Sequence, residues 1–316
     1  MHRSHLTALA VCACLLSLLP LAAVGQAASV CPTGLEPDTS TANNSTPPLR
    51  PQWSPPVQVA SAPRIYVADN LFTKEECEEL ISLGLQNGMR EAGIMGGDAG
   101  KKDNAARRSR RSLTTTLGVH GKDGAEGNEV VAMWRERMSR VALLPESHAE
   151  ALAVTQYVGG DNHKYELHFD SSLQVGRVAT VLVFLRDVHD GGELLFPWAK
   201  GITGELPEGV SGTGRDIMEL EGVNKEPPIA PYCADGDETS VKIAPRVGRA
   251  AIFFTHMPDL RREGYRAMHA GCPPRKKGED KWIAQLFIKW HDANGANALA
   301  QIMQAVNQPW RAELLQ

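Results

Sequence analysis

The stretch that decides the fold reads Arg177-Val178-Ala179-Thr180-Val181-Leu182-Val183-Phe184-Leu185. A short apolar run of this kind, rich in β-branched residues, is typical of a strand buried on both faces. Strand-like alternation also occurs in 152–158 and 281–290, and the segments 241–243 and 250–254 are further candidate strands. The second half of the chain therefore predicts a set of short strands.

Helical signals precede these strands. Thr73 and Glu76 have the spacing of a capping box. Apolar residues then recur at helical intervals until Gly88, at Cys77, Leu80, Ile81 and Leu85. A second helix is predicted for 128–142 from the stripe Val130, Val131, Trp134, Met138 and Val141. Helices followed by many short strands indicate an α+β protein in which helices buttress a β-sandwich.

The N-terminus has the layout of a secretory signal. An apolar run from Leu6 to Val24 follows basic residues and leads into small ones within residues 1–28. We expect a cleaved signal peptide, with an uncleaved signal anchor as the alternative. In either case the rest of the chain enters the secretory lumen. The predicted location is the endoplasmic reticulum or Golgi lumen or the exterior, or a type II membrane orientation if the anchor is kept.

The remaining segments differ in composition. Residues 29–62 are rich in Pro, Ser, Thr and Asn and predict a tether. Residues 63–291 are expected to form one domain, and 292–316 a C-terminal helical tail. The net charge of −4 gives no reason to expect nucleic acid as a partner. A membrane is expected as a partner only if the N-terminal segment stays as an anchor.

Four cysteines lie beyond the predicted signal: Cys31, Cys77, Cys233 and Cys272. An even number in an oxidising compartment is compatible with one or two disulfides, and buried free thiols are the alternative. The sequence leaves the pairing open. Overlapping glycosylation sequons begin at Asn43 and Asn44, in agreement with a secretory location.

The tripeptide His168-Phe169-Asp170 carries the predicted chemistry. In an extended segment residues i and i+2 point to the same side, so an imidazole and a carboxylate can bind one metal ion. A second histidine from a distant strand would complete the two-His-one-carboxylate arrangement of non-haem iron(II) oxygenases. His269 and His256 are the candidates. Zinc hydrolysis on the same ligands is disfavoured because no HExxH-like general base accompanies them.

Lys281 is the second unusual residue. It shares a predicted strand face with Ile283 and Phe287, both large and apolar. A buried ammonium needs an anionic partner, and the distal carboxylate of 2-oxoglutarate would supply one. The alternative is an exposed strand edge from which the lysine reaches solvent.

Four motifs occur in the order seen in prolyl 4-hydroxylases: His168-Phe169-Asp170, the run 177–185, Gly191-Gly192-Glu193-Leu194-Leu195-Phe196-Pro197, and His269-Ala270-Gly271-Cys272-Pro273 through Lys281-Trp282. Over about residues 63–291 the chain resembles this family, and most of all its plant and algal secretory-pathway type. The resemblance implies a double-stranded β-helix (jelly-roll) core buttressed by N-terminal helices. It also implies hydroxylation of peptidyl proline to 4-hydroxyproline, coupled to oxidative decarboxylation of 2-oxoglutarate to succinate and CO2.

The resemblance further implies roles for single positions. The implied iron ligands are His168, Asp170 and His269; His269 ranks above His256 because Cys272-Pro273 follows it. Residues implied at the 2-oxoglutarate pocket are Lys281 and Tyr157, which hold the distal carboxylate, and Thr180, which lines the pocket. Positions implied near the peptide groove are Tyr165 and Arg111. The implied cofactors are Fe(2+), the co-substrates 2-oxoglutarate and O2, and L-ascorbate; the implied partners are proline-rich polypeptide substrates.

Several positions depart from the family pattern. Leu194 stands where Thr is usual, Arg249 replaces an acidic residue, and Leu286-Phe287 replaces a Lys-Trp pair. Short insertions also lie between Tyr157 and His168 and between His269 and Lys281. None removes a predicted ligand. The alternative functions are a 2-oxoglutarate oxygenase acting on another residue or a small molecule, and a catalytically silent module that binds proline-rich peptides.

Overall fold

The computed structural model describes residues 53–92, 110–118, 128–171, 176–214, 228–256 and 264–291. The predicted signal or anchor (1–28), most of the tether (29–62) and the C-terminal tail (292–316) lie outside the described residues. The chain divides into two units, 1–47 and 48–316, and only the second contains described residues. Within the described ranges, no helix has the length and apolar character needed to cross a membrane.

Both predicted helices are confirmed. The α-helices of the described residues are α1 (Lys74–Gln86), α2 (Glu129–Val141) and α3 (Ala230–Cys233), with 3-10 turns at Glu146–His148 and Gly264–Ala267. Thr73 caps α1 as the pattern predicts: its hydroxyl accepts the N–H of Glu76, and the Glu76 carboxylate accepts the N–H of Thr73. Asn128 caps α2 by a simpler arrangement, in which its side-chain oxygen accepts the backbone N–H groups of Val130 and Val131.

The described residues contain fifteen strands in two antiparallel sheets. Their bounds are β1 Val57–Ala62, β2 Arg64–Ala68, β3 Arg90–Glu91, β4 Arg110–Arg111, β5 Leu113–Leu117, β6 Leu152–Tyr157, β7 Lys164–His168, β8 Arg177–Phe184, β9 Leu194–Phe196, β10 Lys200–Gly201, β11 Val210–Ser211, β12 Val241–Ile243, β13 Ala250–Phe254, β14 His269–Gly271 and β15 Lys281–Lys289. The large sheet has the order β10-β1-β2-β13-β8-β15-β6-β5-β3, and the small sheet β11-β12-β9-β14-β7-β4.

The path of the chain between the sheets defines a jelly roll. From β6 onward the chain alternates between the large and the small sheet: β6 and β8 lie in the large sheet, β7 and β9 in the small one. After β12 in the small sheet the alternation resumes with β13, β14 and β15. The block β13-β8-β15-β6 therefore stands opposite β12-β9-β14-β7. This is the predicted double-stranded β-helix, with α1 and α2 beside it.

Three apolar clusters hold these layers together. The first lies between the large sheet and the helices and contains one face of β15, formed by Trp282, Ala284, Leu286 and Ile288. The second lies between the two sheets and includes Phe184, Phe196 and Phe253. The third, which we term the outer cluster, covers the outward face of the small sheet. His269 packs against Phe196 and Phe253, so the candidate site borders the layer between the sheets.

The predicted tether is wrong at its C-terminal end. Residues Val57–Ala62 form β1, which pairs with β2 and β10, and Val59 and Ala60 are buried in the layer between the sheets. The folded region therefore begins before residue 63. The surrounding prolines and serines hide this strand, because the composition of the segment also suits a linker.

Both alternatives for the cysteines, a disulfide and a buried free thiol, occur among the described residues. Cys233 and Cys272 form a disulfide, whereas Cys77 is a buried free thiol in α1. Burial raises the pKa of Cys77 to about 12, so this thiol stays protonated and unreactive. Cys31 lies outside the described residues.

Candidate active site

The three predicted metal ligands meet at one point, although they come from two strands. His168 ends β7, Asp170 follows two residues later, and His269 begins β14 directly opposite His168. The Nε2 atoms of His168 and His269 lie 3.5 and 3.4 Å from the two carboxylate oxygens of Asp170. All three ligand atoms lie within 4.8 Å of one another, a spread that a single metal ion can bridge.

A backbone carbonyl two residues upstream orients each imidazole. Nδ1 of His168 lies 2.8 Å from the oxygen of Glu166, and Nδ1 of His269 lies 3.1 Å from the oxygen of Ala267. A carbonyl only accepts, so Nδ1 carries the proton and Nε2 keeps its lone pair. Both Nε2 atoms are buried, without a hydrogen-bond partner among the described residues. Two buried lone pairs beside a carboxylate fit a divalent iron ion.

The protonation states also suit a metal site. Burial lowers the pKa of His168 to about 4, and the nearby His269 adds to this effect. Burial by itself would raise the pKa of Asp170, but attraction to His269 and His168 holds that pKa well below its ordinary range. At neutral pH the site therefore presents a neutral His168 and an ionised Asp170, the forms that bind metal.

Two further side chains hold Asp170 in place. Thr180 in β8 donates its hydroxyl to Oδ2 of Asp170 at 2.6 Å, with both residues buried. Arg177 donates to the backbone oxygen of Asp170 at 3.2 Å and forms a two-point ion pair with Glu150 at 2.8 and 2.7 Å. Thr180 is predicted at the 2-oxoglutarate pocket; its contact in the structure is with the metal-binding carboxylate. The roles of Arg177 and Glu150 are not predicted, because no local pattern links them.

Lys281 and Tyr157 lie side by side, as predicted for the 2-oxoglutarate pocket. Lys281 begins β15 and pairs directly with Tyr157, which ends β6. Lys281 is only 1% exposed, and its Nζ lies 4.8 Å from the centre of the Tyr157 ring. A Cβ placed on Gly271 would lie 3.2 Å from that Nζ, so the ammonium points toward the strand that begins with His269. The loops absorb the short insertions without separating these residues.

The surroundings of the Lys281 ammonium favour the binding of an anion. Burial lowers the pKa of Lys281 to about 7, and the charge of Glu193 opposes this shift only in part. Burial raises the pKa of Tyr157 to about 12, so its phenol stays neutral. Among the residues that the structure describes, no carboxylate forms an ion pair with Lys281. The exposed-edge alternative is wrong, and the distal carboxylate of 2-oxoglutarate fits this ammonium.

The two residues predicted near the peptide groove, Tyr165 and Arg111, lie in different surroundings. The ring of Tyr165 stacks on the His168 imidazole with 3.5 Å between their centres, so it lies beside the candidate metal ligands. The guanidinium of Arg110 lies 4.6 Å from the centre of the same Tyr165 ring. Arg111 instead is exposed and donates to the backbone oxygen of Asp161. Consecutive residues of a strand point to opposite faces, so the structure places Arg110 rather than Arg111 at the site.

His256, the rival third ligand, lies elsewhere. Its Nδ1 is 2.9 Å from the hydroxyl of Thr255, and its ring packs edge-on against Trp290 at 5.1 Å. It is not among the described residues whose ligand atoms converge with Asp170. The preference for His269 therefore agrees with the geometry.

The departures from the family pattern are accommodated by packing. Arg249 is fully buried and forms a two-point ion pair with Asp69 at 2.6 and 3.1 Å. Leu194 packs in the layer between the sheets, and Phe287 lies 3.7 Å beneath the guanidinium of Arg177. These substitutions leave the three metal ligands in place.

Comparison with known proteins agrees with this site. Residues 152–289 match the model of the 2OG-Fe(II) oxygenase superfamily. The chain is 30% identical to prolyl 4-hydroxylase 5 of Arabidopsis thaliana over 237 residues, which cover 73% of this chain and 69% of that protein. It is also 30% identical to probable prolyl 4-hydroxylase 8 of the same plant, over 73% of this chain and 70% of that protein. A solved viral collagen prolyl hydroxylase from Paramecium bursaria Chlorella virus-1 aligns with 71% of this chain and 94% of its own, at 20% identity and a TM-score of 0.43.

The jelly roll and its site define a non-haem iron(II), 2-oxoglutarate-dependent oxygenase. Within that class, the chain belongs to the prolyl 4-hydroxylase family. Bound iron(II) supplies the activation of O2 that is coupled to decarboxylation of 2-oxoglutarate. His168, Asp170 and His269 would hold the iron, and the buried Lys281 would pair with the distal carboxylate of 2-oxoglutarate.

Proposed function

We propose that this chain hydroxylates C4 of peptidyl proline in proline-rich polypeptides. Its relatives of 30% identity are prolyl 4-hydroxylases by name, and the chain has a candidate set of iron ligands and a buried lysine suited to 2-oxoglutarate. A catalytically silent binding module would not need a buried lysine beside an intact ligand set. The substrate class is supported further by the surface beside the iron ligands.

An exposed aromatic pair carries the assignment of a proline-rich substrate. Phe169, between the ligands His168 and Asp170, is 43% exposed, and Tyr265 is 50% exposed. Their ring centres lie 6.4 Å apart. Aromatic surfaces of this kind bind proline rings, and a polyproline II peptide reaches them already extended. Such a peptide makes no internal hydrogen bonds, so its carbonyls can accept from Arg110 beside the site.

The first experiment measures succinate formation from 2-oxoglutarate with iron(II), with and without a poly-proline peptide. We expect the peptide to accelerate turnover and to acquire 4-hydroxyproline, detected by mass spectrometry. Absence of peptide-stimulated turnover, with iron bound and the fold intact, contradicts the proposal. Stimulation by another peptide or small molecule instead would identify a different substrate class.

The second experiment tests the aromatic pair. Tyr265→Ala should raise the KM for the peptide about five-fold, since an aromatic contact contributes about 0.5–1.5 kcal/mol beyond its buried area. Leu85→Ala is the matched control, because Leu85 is a similarly exposed apolar residue (55%) on α1. The KM for 2-oxoglutarate should be unchanged in both variants. Equal effects of the two substitutions on peptide KM would rule out a specific role for Tyr265.

The proposed location is the lumen of the secretory pathway. The Cys233–Cys272 disulfide supports it, since such bonds persist in oxidising compartments. The signal-like residues 1–28 point the same way. In cells, a C-terminally tagged chain should be protected from protease until the organelle membranes are opened. A tag digested in intact organelles would contradict a lumenal location.

L-ascorbate is proposed as a supporting cofactor because the family resemblance implies it. We expect that it prolongs turnover, most of all when no peptide is present. Identical time courses of succinate formation with and without ascorbate would contradict this role.

A further inference from the structure

The outer cluster lies directly behind the two histidine ligands. Leu167 in β7 and Met268, directly before β14, each precede a histidine ligand, and neighbouring residues of an extended segment point to opposite faces. Both are buried in the outer cluster, whose other members include Leu195, Trp198, Ala270 and Cys272. The packing of this cluster therefore holds the strands from which both imidazoles project.

A short segment covers the outer cluster. We term it the cap: residues 228–234, which contain α3. Ile229 is 1% exposed and belongs to the outer cluster, and Tyr232 and Cys233 pack against it. The ring of Tyr232 meets Trp198 edge-on at 6.3 Å. The cap thereby keeps water from the apolar surface behind the ligands.

The cap is attached to both histidine-bearing strands. Cys233 forms its disulfide with Cys272, three residues after His269. The backbone N–H of Ile229 donates to the carboxylate of Glu166 at 3.1 Å, and the backbone oxygen of Glu166 accepts from Nδ1 of His168. Each attachment therefore ends within three residues of a ligand.

We propose that the cap is a positioning device for the iron site, and that reduction of the Cys233–Cys272 disulfide weakens metal binding. The proposal rests on His168 and His269 as ligands. The cap acts through the two strands, since its own residues do not reach the ligand atoms. Loss of outer contacts that orient ligands commonly lowers metal affinity about 10- to 100-fold, so we expect about a tenfold loss.

A dithiol reductant can reach this disulfide. Cys233 is half-buried and lines a cavity of about 180 Å³ together with Lys164, Pro273 and Arg275. A thiolate of the dithiol attacks Sγ of Cys233, and Cys272 leaves as a thiolate that takes up a proton. The second thiol of the reductant then closes its own disulfide and releases Cys233 as a thiol. Two electrons and two protons pass from the dithiol to the protein.

Calorimetric titration of the apo-protein with Co2+ tests the proposal without turnover. Cys233→Ala should weaken Co2+ binding about tenfold. Wild-type protein reduced with a dithiol, then freed of reductant under argon, should lose affinity to a similar extent. Ile229→Ala keeps the disulfide but removes the buried side chain, and should also weaken binding.

Ile81→Ala is the matched control, because Ile81 is similarly buried (2%) but lies in the cluster between the helices and the large sheet. It should lower the melting temperature and leave Co2+ affinity within about two-fold. His269→Ala should abolish binding; retained binding would refute the ligand assignment instead. Unchanged Co2+ affinity in Ile229→Ala and in reduced wild-type protein, both folded, overturns the proposal. These two samples decide the question even if Cys233→Ala does not fold.

Discussion

The hydrogen bond from Thr180 to Asp170 makes a sharp prediction about iron affinity. The Thr180 hydroxyl donates to Oδ2 of the ligand carboxylate at 2.6 Å, and neither residue is exposed to solvent that could replace it. Thr180→Val removes this donor and keeps the shape of the side chain. We therefore expect weaker metal binding with an intact fold, because the carboxylate loses the group that orients it.

The magnitude follows from the type of bond. A hydrogen bond to a charged group contributes about 1.5–3 kcal/mol. Each 1.4 kcal/mol or so corresponds to a factor of about ten in an equilibrium constant. If most of this contribution serves to hold the carboxylate for the metal, Thr180→Val should weaken metal binding about 10- to 100-fold. The KM for 2-oxoglutarate at saturating iron should change much less.

The assay is a calorimetric titration of apo-protein with Co2+, repeated anaerobically with Fe2+. Thr180→Ser is the matched control, since it keeps the hydroxyl and loses only a methyl group. The serine variant should bind metal within about three-fold of wild type. Melting temperatures of all three proteins show whether the fold is intact.

One result would refute this reasoning. If Thr180→Val binds metal as tightly as Thr180→Ser does, the hydroxyl does not hold Asp170 for the metal. If instead the valine variant keeps its metal affinity and loses affinity for 2-oxoglutarate, Thr180 belongs to the pocket that the family resemblance implies.

Three further predictions concern other parts of the site and fold. His269→Ala should abolish succinate formation, whereas His256→Ala should retain a substantial fraction; the reverse result would overturn the ligand assignment. Affinity for 2-oxoglutarate should fall as pH rises above about 7, because burial lowers the pKa of Lys281 to about 7 and only its protonated form pairs with a carboxylate. KM values between about pH 6 and 9 check this, and a flat profile contradicts it. Asp69→Asn should lower the free energy of unfolding by about 2 kcal/mol, because it leaves the buried Arg249 without its carboxylate; the loss is less than for a fully buried pair because Asp69 is partly exposed. Urea denaturation measures this loss, and no change would show that water replaces the carboxylate.

Local patterns predicted much of the fold because their causes are local. The capping box at Thr73 and Glu76 is read within one helical turn, and the structure confirms it. The strands at 241–243 and 250–254 have the predicted bounds. The tether prediction, which is wrong at β1, also has a local cause, since residues 57–62 lie in a segment whose composition suits a linker.

Two of the three predicted metal ligands also followed from local geometry. His168 and Asp170 are two residues apart on an extended backbone, so their convergence needs no knowledge of the fold. The third ligand was different: His269 was preferred to His256 through a resemblance, and only the pairing of β14 with β7 brings it opposite His168. Sheet register is a non-local property, because it depends on which distant strands pair and where.

By itself the sequence determined the caps of both long helices, the positions of several central strands and the adjacent ligand pair His168 and Asp170, because each depends on interactions within a few residues. The tertiary structure alone decided that Lys281 lies beside Tyr157, that Arg110 rather than Arg111 faces the site, and which cysteines pair. It also showed Thr180 bound to Asp170. These features depend on strand register and on the packing of distant segments, and no periodicity along the chain encodes that information.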